Sequence, residues 1–342
     1  MTHAKRVLVT GAGGFIGRWS VPALQRLGYE VHAVLSRKTK AGAPGNRGIP
    51  EQLLGATIHF ADLLDVSSVN ALMGEVKPTH LLHFAWIATP GLYWESEENF
   101  RWAAAGEQLL LSFRAHGGRR VMMAGSCAEY DWSKAGVCDE RTSPLADQSA
   151  DPVSRYAQCK LALQRILAEV GRRDHLSTAW GRIFFQFGPY EHPDRLVPSV
   201  ICNLLSNREA PCSHGKQVRS FLHVADVGAA FAAVLDSDLE GPVNIGSDAR
   251  VTVGELVERI AGQIGRQDLL RVGARPAPAR EPLLLVPAVQ RLRDQVHWRP
   301  RLTLDEGVSE AIAWWRGRLS PDPADAARGA GDPGSHDRVG HR

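Results

Sequence analysis

The chain has only five cysteines, at 127, 138, 159, 202 and 212, an odd number with no Cys-x-x-Cys spacing. That argues against a disulfide framework or a cysteine-built zinc site, and it fits a reducing compartment. An excess of either charge is also missing. Lysine and arginine number 40 against 37 aspartates and glutamates, leaving a formal charge of +3 with no long single-sign run. Such balance gives no argument for nucleic acid or a membrane surface as a partner. Long apolar runs are absent too. Residues 1–6 lead straight into Val7-Leu8-Val9-Thr10 without a signal-peptide core, and no stretch approaches a membrane span. The expectation is a cytoplasmic protein without a bound metal. What is present is ordinary globular material: 342 residues, 44% hydrophobic and 23% charged, enough for one large domain or two interleaved ones.

In the first half, short apolar runs alternate with helix-length amphipathic stretches. Residues 7–10, 31–35, 57–60, 80–84 and 120–124 read as strands, and 19–27, 66–75 and 99–116 as helices. This alternation predicts an α/β fold, a doubly wound parallel sheet with helices on both faces. Residues 37–50, rich in Gly, Pro, Lys and Arg, read as a surface loop. Further on, 153–170 reads as a strong helix and 176–184 as a strand. Residues 196–205, 224–235, 251–264 and 304–318 read as helices, the third opening on Thr252 with Glu255 placed for a capping box. The Pro-rich stretch 275–287 reads as a loop. Residues 320–342, mostly Pro, Gly, Asp, Ala and Arg, read as a disordered tail.

Chemistry enters with Thr10-Gly11-Ala12-Gly13-Gly14-Phe15-Ile16-Gly17, between the first strand and the first helix. Gly11, Gly14 and Gly17 allow a tight turn, close backbone approach to a pyrophosphate and helix–strand packing. The helix start at Phe15 and Ile16 offers N–H groups and a positive dipole end. A NAD-preferring site usually carries an acid at the end of the second strand. Here that strand runs out in Ser36-Arg37-Lys38, so Ser36 and Arg37 are placed to hold a 2′-phosphate, which predicts NADP over NAD. Asp62, next to Leu63 after the third strand, either accepts from the adenine amino group or simply makes a turn. Ala85, after the fourth strand, joins the expected cofactor contacts.

Tyr156 and Lys160 fall at i and i+4 on one helix face, and Ser126 ends a strand 30 residues before Tyr156. A free phenol, with a pKa of about 10, is a poor base near neutrality. A neighbouring ammonium and an oxidised nicotinamide both favour the phenolate and lower that value. Tyr156 can then exchange a proton with a sugar oxygen that Ser126 also holds, while hydride moves to or from a nicotinamide.

These residues resemble the extended short-chain dehydrogenases/reductases, in particular the NAD(P)-dependent epimerase/dehydratase type acting on nucleotide sugars. The resemblance spans about residues 5–318. It continues through His83-Phe84-Ala85, Phe187-Gly188-Pro189, the run from Arg219 to Asp226, Asn244-Ile245-Gly246-Ser247, His297-Trp298-Arg299-Pro300 and Trp314-Trp315. It implies that Ser126, Tyr156 and Lys160 are catalytic and that Lys160 also holds the nicotinamide ribose. It implies a Rossmann cofactor domain over 1–180, with a smaller C-terminal α/β domain over 181–319, interleaved with the first, for a nucleotide-diphosphate sugar. Arg219 matches the arginine that meets the diphosphate, with Arg280 as a second, and a homodimer through a helix pair is common in the family.

Departures from the family pattern narrow the activity. The 4,6-dehydratases carry Asp and Glu just after the serine or threonine, whereas Cys127 and Ala128 stand here, with Glu129 one place further on. Without that acid–base pair, elimination of water has no evident proton carrier. Phe185 replaces an asparagine often found before the Gly-Pro, and Trp102 stands at the spacing of another, with Asn99 one turn earlier. Trp86 and Trp132 read either as core packing or as an apolar wall for a deoxysugar or a base. His192 is placed to donate a proton, but its cysteine partner is out of register. The resulting reading is an NADPH-dependent reductase of a nucleotide-diphosphate 4-keto-6-deoxyhexose. The alternative is a nucleotide-sugar 4-epimerase with tightly bound NAD, and the intact trio speaks against a non-catalytic sensor.

Overall fold

The computed structural model of the chain describes residues 5–36, 49–277 and 281–319. Arg37, Arg280, most of the expected 37–50 loop and the expected disordered tail lie outside these described residues. In chain order the first elements are β1 (Arg6–Thr10), α1 (Gly17–Arg26), β2 (Glu30–Leu35), β3 (Thr57–Phe60), α2 (Val66–Val76), β4 (His80–His83), α3 (Glu98–Ala115) and β5 (Arg120–Ser126). Next come β6 (Val137–Cys138), α4 (Arg155–Asp174), β7 (Ser177–Ile183), β8 (Phe185–Phe187), α5 (Leu196–Leu205), β9 (Ala210–Pro211), β10 (Val218–Arg219), β11 (Phe221–His223) and α6 (Val224–Asp236). The remainder is β12 (Gly241–Ile245), β13 (Val251–Thr252), α7 (Val253–Ile264), β14 (Leu270–Arg271), β15 (Leu284–Pro287), α8 (Gln290–Gln295) and α9 (Leu304–Leu319).

Seven strands form one sheet in the order β12-β7-β5-β4-β1-β2-β3, with every neighbouring pair parallel. Parallel strands covered on both faces need apolar residues in unbroken runs. In β1, Val7 and Val9 enter one core with Val21, Leu24 and Phe231. Leu8, between them, enters the opposite core with Leu109, Phe113 and Leu163. On the first face α1 and α6 pack closely enough that a Cβ on Gly228 would lie 2.5 Å from the Trp19 carbonyl carbon. Pro242 is tolerated in β12 because that strand lies at the sheet edge.

The strand order reverses between β1 and β4, which opens a crevice at their carboxyl ends. A third core joins α5, α7 and α9 through residues such as Ile201, Ile260 and Ile312. The expected loop over 275–287 is corrected at its end. Leu284–Pro287 is β15, parallel to both β10 and β6, with Leu285 fully buried. Four prolines mark that segment as a loop, but the apolar Leu284-Leu285-Val286 finds its partners far away in sequence. No described helix is long and apolar enough to cross a membrane.

Candidate active site

At the switch point β1 gives way to the glycine loop. Gly11 takes φ +67° and its carbonyl accepts from the Gly14 N–H at 2.9 Å. A side chain on Gly11 would meet the Ala85 nitrogen at 2.7 Å, and one on Gly17 the Gly11 oxygen at 2.3 Å. The loop is thus clamped between its own helix and the end of β4. Thr10 Oγ1 and His83 Nδ1, 2.7 Å apart, tie the two strand ends together, and burial pulls the His83 imidazole down to about 3, so it is neutral. Arg18 holds the loop from behind by donating to the carbonyls of Gly13 and Gly14.

A groove of about 1460 Å³ runs along this loop, lined by Gly11, Gly14, Ser36, Asp62, Leu63 and Ala85. The start of α1 has no side-chain cap and no acid in its first turn, which leaves its N–H groups and dipole for an external anion. A dinucleotide fits both features. Asp62 accepts from the Leu64 N–H at 3.0 Å, so it makes its turn while still facing the groove.

The groove borders a second cavity of about 520 Å³ that contains Phe15, Ile16 and Gly17 as well as Ser126, Tyr156 and Lys160. Ser126 ends β5, and Ser154 caps α4 by accepting from the Ala157 N–H, which fixes the helix phase that carries Tyr156 and Lys160. The Ser126 hydroxyl and the Tyr156 phenol share this cavity. Burial pushes that phenol above its ordinary value, the neighbouring Tyr93 adds to the rise, and the nearby Ser126 hydroxyl only partly offsets it. Here the structure departs from expectation. The protein alone does not favour the phenolate, because desolvation in this aromatic site raises the phenol. Lys160 Nζ donates to the Ala124 carbonyl at 2.8 Å and stands 3.6 Å from the Trp86 ring centroid. Burial lowers its pKa, and the Glu129 carboxylate opposes that shift.

Tyr93, Trp94 and Trp86 meet the Tyr156 ring edge-on, with centroids 4.9, 5.8 and 6.4 Å away. Trp132 donates its Nε1–H to the Cys127 carbonyl at 3.1 Å and packs on Trp94. Both tryptophans singled out in the sequence therefore line the cavity and pack within its wall. Asn99, fully buried, accepts from Trp86 Nε1–H at 2.8 Å and donates to the Tyr93 and Ser96 carbonyls. It braces the aromatic loop, whereas Trp102 faces the cofactor groove.

The positions after Ser126 offer no free acid–base pair. Burial pushes the Cys127 thiol up to about 12. Glu129 is sealed against Arg182, Trp180 and the Ser126 N–H. His192 is half-exposed and its Nδ1 accepts from the Asp194 N–H.

Arg219 reaches the same cavity, but its guanidinium is already engaged. It donates to Glu281 at 2.8 Å and to the Val218 carbonyl, lies over Phe185, and keeps one buried nitrogen, Nε, without a partner among the described residues. Sequence reasoning missed Glu281, Arg195 and Glu191, all of which line this cavity. Their closeness to Arg280 and to Gly188-Pro189 was the available signal.

Comparison with known proteins agrees with this geometry. The model of the NAD dependent epimerase/dehydratase family matches residues 7–246. A dTDP-glucose 4,6-dehydratase of Streptomyces niveus is 30% identical, over 95% of this chain and 98% of that protein. Among solved structures, the UDP-glucose 4-epimerase of Thermus thermophilus, in complex with NAD, superposes with a TM-score of 0.75 at 26% identity, over 92% of this chain and all of that one. A UDP-N-acetylglucosamine 4-epimerase of Methanobrevibacter ruminantium reaches 0.79 at 22% identity, over 92% of this chain and 99% of that one. The chain belongs to the NAD-dependent epimerase/dehydratase family, within the extended short-chain dehydrogenases/reductases.

Proposed function

We propose that the chain is an NADPH-dependent reductase of the C4 keto group of a nucleotide-diphosphate 4-keto-6-deoxyhexose, serving deoxysugar biosynthesis in the cytoplasm. One observation carries this reading: the Tyr156 phenol, raised by burial above its ordinary value, shares an aromatic cavity with Ser126 and Lys160, with no free carboxyl at positions 127–129. Reduction of a ketone needs an acid at the carbonyl oxygen, and a phenol raised by burial is one. Oxidation of an alcohol, as in the first half of an epimerase cycle, needs a base there instead.

When bound in the groove, a reduced nicotinamide would supply the hydride that C4 accepts. Tyr156 gives its proton to the carbonyl oxygen as the carbon–oxygen double bond opens, so ketone becomes alcohol. Ser126 donates to the same oxygen and sets its position. The Lys160 ammonium, 5.8 Å from the phenol ring centroid, stabilises the phenolate until a proton returns. Gly11, Gly14, Phe15, Ile16 and Gly17 take the pyrophosphate, Asp62 and Leu63 the adenine, and Ala85, Tyr156 and Lys160 the nicotinamide half. Ser36 and Arg37 select the 2′-phosphate. Arg219 and Arg280 bind the sugar-nucleotide diphosphate, and Trp86 and Trp132 form an apolar wall for the 6-methyl group. We assign residues 1–180 to the cofactor and 181–319 mainly to the sugar nucleotide, in a homodimer.

The test is NADPH oxidation with dTDP-, GDP- and CDP-linked 4-keto-6-deoxyhexoses, run beside NADH and a Tyr156→Phe variant. Turnover that requires the keto sugar and disappears in the variant supports the reductase. Likeness to a 4-epimerase at 26% identity keeps one second reading, a 4-epimerase with retained NAD. Inversion at C4 without net nicotinamide change, and no turnover of any keto sugar, would replace the first reading with the second.

A further inference from the structure

Glu191 takes no part in the reaction above, yet it borders both the cofactor groove and the Tyr156 cavity, as do Gly11, Gly14, Ala85 and Trp86. A residue on both borders stands where the two spaces join, and Gly11 and Gly14 of the glycine loop share that position. The Glu191 N–H donates to the Gly188 carbonyl at 3.3 Å, which turns the chain back on itself here. One carboxyl oxygen, Oε2, is closed off from solvent and has no hydrogen-bond partner among the described residues. Leaving a buried carboxylate oxygen unpaired is costly, and a group in that state is either protonated or waiting for a donor.

The cationic groups nearby do not reverse this. Arg195, at the entry to α5, favours the ionised form. Arg18 of α1 and Arg318 of α9 both stack on the adjacent Tyr190, 4.0 and 5.5 Å from its centroid, and Lys160 of α4 lines the same cavity. Exposed His192 follows in sequence. Burial still prevails and raises the Glu191 acid to about 8.

We propose that Glu191 is a cofactor-binding residue that acts as a neutral acid, donating its carboxyl proton to a phosphate oxygen of the dinucleotide beside the glycine loop. The inference rests on the dinucleotide reading of the groove and is independent of whether the sugar is reduced or epimerised. An ionised carboxylate there would repel the diphosphate, so cofactor binding and a proton on Glu191 are linked.

Equilibrium binding without substrate tests this. NADPH affinity is read from tryptophan quenching across the range from about pH 6.5 to about pH 9.5, with NADH in parallel to remove titration of the 2′-phosphate. Once Glu191 ionises, Kd should rise about tenfold per pH unit, the limit for one linked proton. Calorimetry in buffers of different ionisation heat should show about one proton taken up on binding in that range. Glu191→Gln, whose amide donates at every pH, should bind NADPH with the rise removed. An affinity independent of pH overturns the proposal. So does one that improves with pH, as for a carboxylate accepting from a ribose hydroxyl, or a rise that persists in Glu191→Gln and so belongs to Lys160. Failure of both nucleotides to bind at neutral pH would overturn the cofactor reading itself, and this proposal with it.

Discussion

Arg182 Nε donates to Glu129 Oε2 at 2.8 Å, and neither side chain reaches solvent. The same carboxylate takes the Ser126 N–H at 2.7 Å and the Trp180 Nε1–H, so it pins the end of the catalytic strand. Glu129 stands one residue beyond the positions where a dehydratase needs its acid and base, but it serves as a strut. Arg182→Met should leave a buried carboxylate without its cation and cost about 3–5 kcal/mol in urea unfolding. Replacing both partners by apolar residues should cost less than the two single losses combined. A single variant within about 1 kcal/mol of wild type would show that Glu129 finds another partner.

Tyr156→Phe removes the proton and keeps the ring against Tyr93 and Trp94. The expected result is a fall in kcat of about 10²- to 10⁴-fold with sugar-nucleotide KM nearly unchanged. Steady-state kinetics separate the two parameters. A matching rise in KM would mean that the hydroxyl binds substrate rather than protonates it.

Much of this was legible in the sequence because it is local. The glycine loop, the Tyr156/Lys160 spacing and the Thr252 capping box each depend on residues within a few positions. The structure reproduces that box, with Thr252 and Glu255 bonded to each other's N–H groups. What escaped depends on distant partners. β15 exists because Leu284 and Leu285 pair with Val218 and Arg219, about 65 residues away. Arg219 reads in sequence as a free fork for a diphosphate, and only the fold reveals the carboxylate already on it. The upward shift of the Tyr156 phenol likewise follows from burial among residues on other elements, which no spacing rule reports.

That carboxylate has a measurable consequence. Glu281 neutralises Arg219 at 2.8 Å, so a nucleoside diphosphate must displace it or share the guanidinium. Arg219→Leu should weaken dTDP or UDP binding by about 10- to 100-fold, the range for a charged hydrogen bond. Glu281→Gln should strengthen binding by releasing the arginine. Calorimetric titration reads both changes. Weaker binding in Glu281→Gln would mean that the carboxylate positions the guanidinium rather than competing for it.

His83 offers the clearest pH test, because burial holds its imidazole at about 3 and Lys160 pushes in the same direction. Unfolded, a histidine titrates at about 6.5. The unfolded chain therefore binds this proton more readily, and stability present above about pH 6.5 is lost as pH falls toward 3. Between pH 7 and 5 that loss is about 2 kcal/mol for this one residue. Other groups shift the total: His223, lowered to about 4, adds to the loss, and Glu191, raised to about 8, opposes it. The contribution of His83 is isolated by difference. Asparagine can keep the contact to Thr10 Oγ1 that Nδ1 makes, and the other ring nitrogen, Nε2, has no partner among the described residues to lose. Urea unfolding of His83→Asn and wild type at both pH values should show a smaller acid penalty in the variant, by about 2 kcal/mol. Equal penalties would mean that His83 stays neutral in the unfolded chain or finds water when folded.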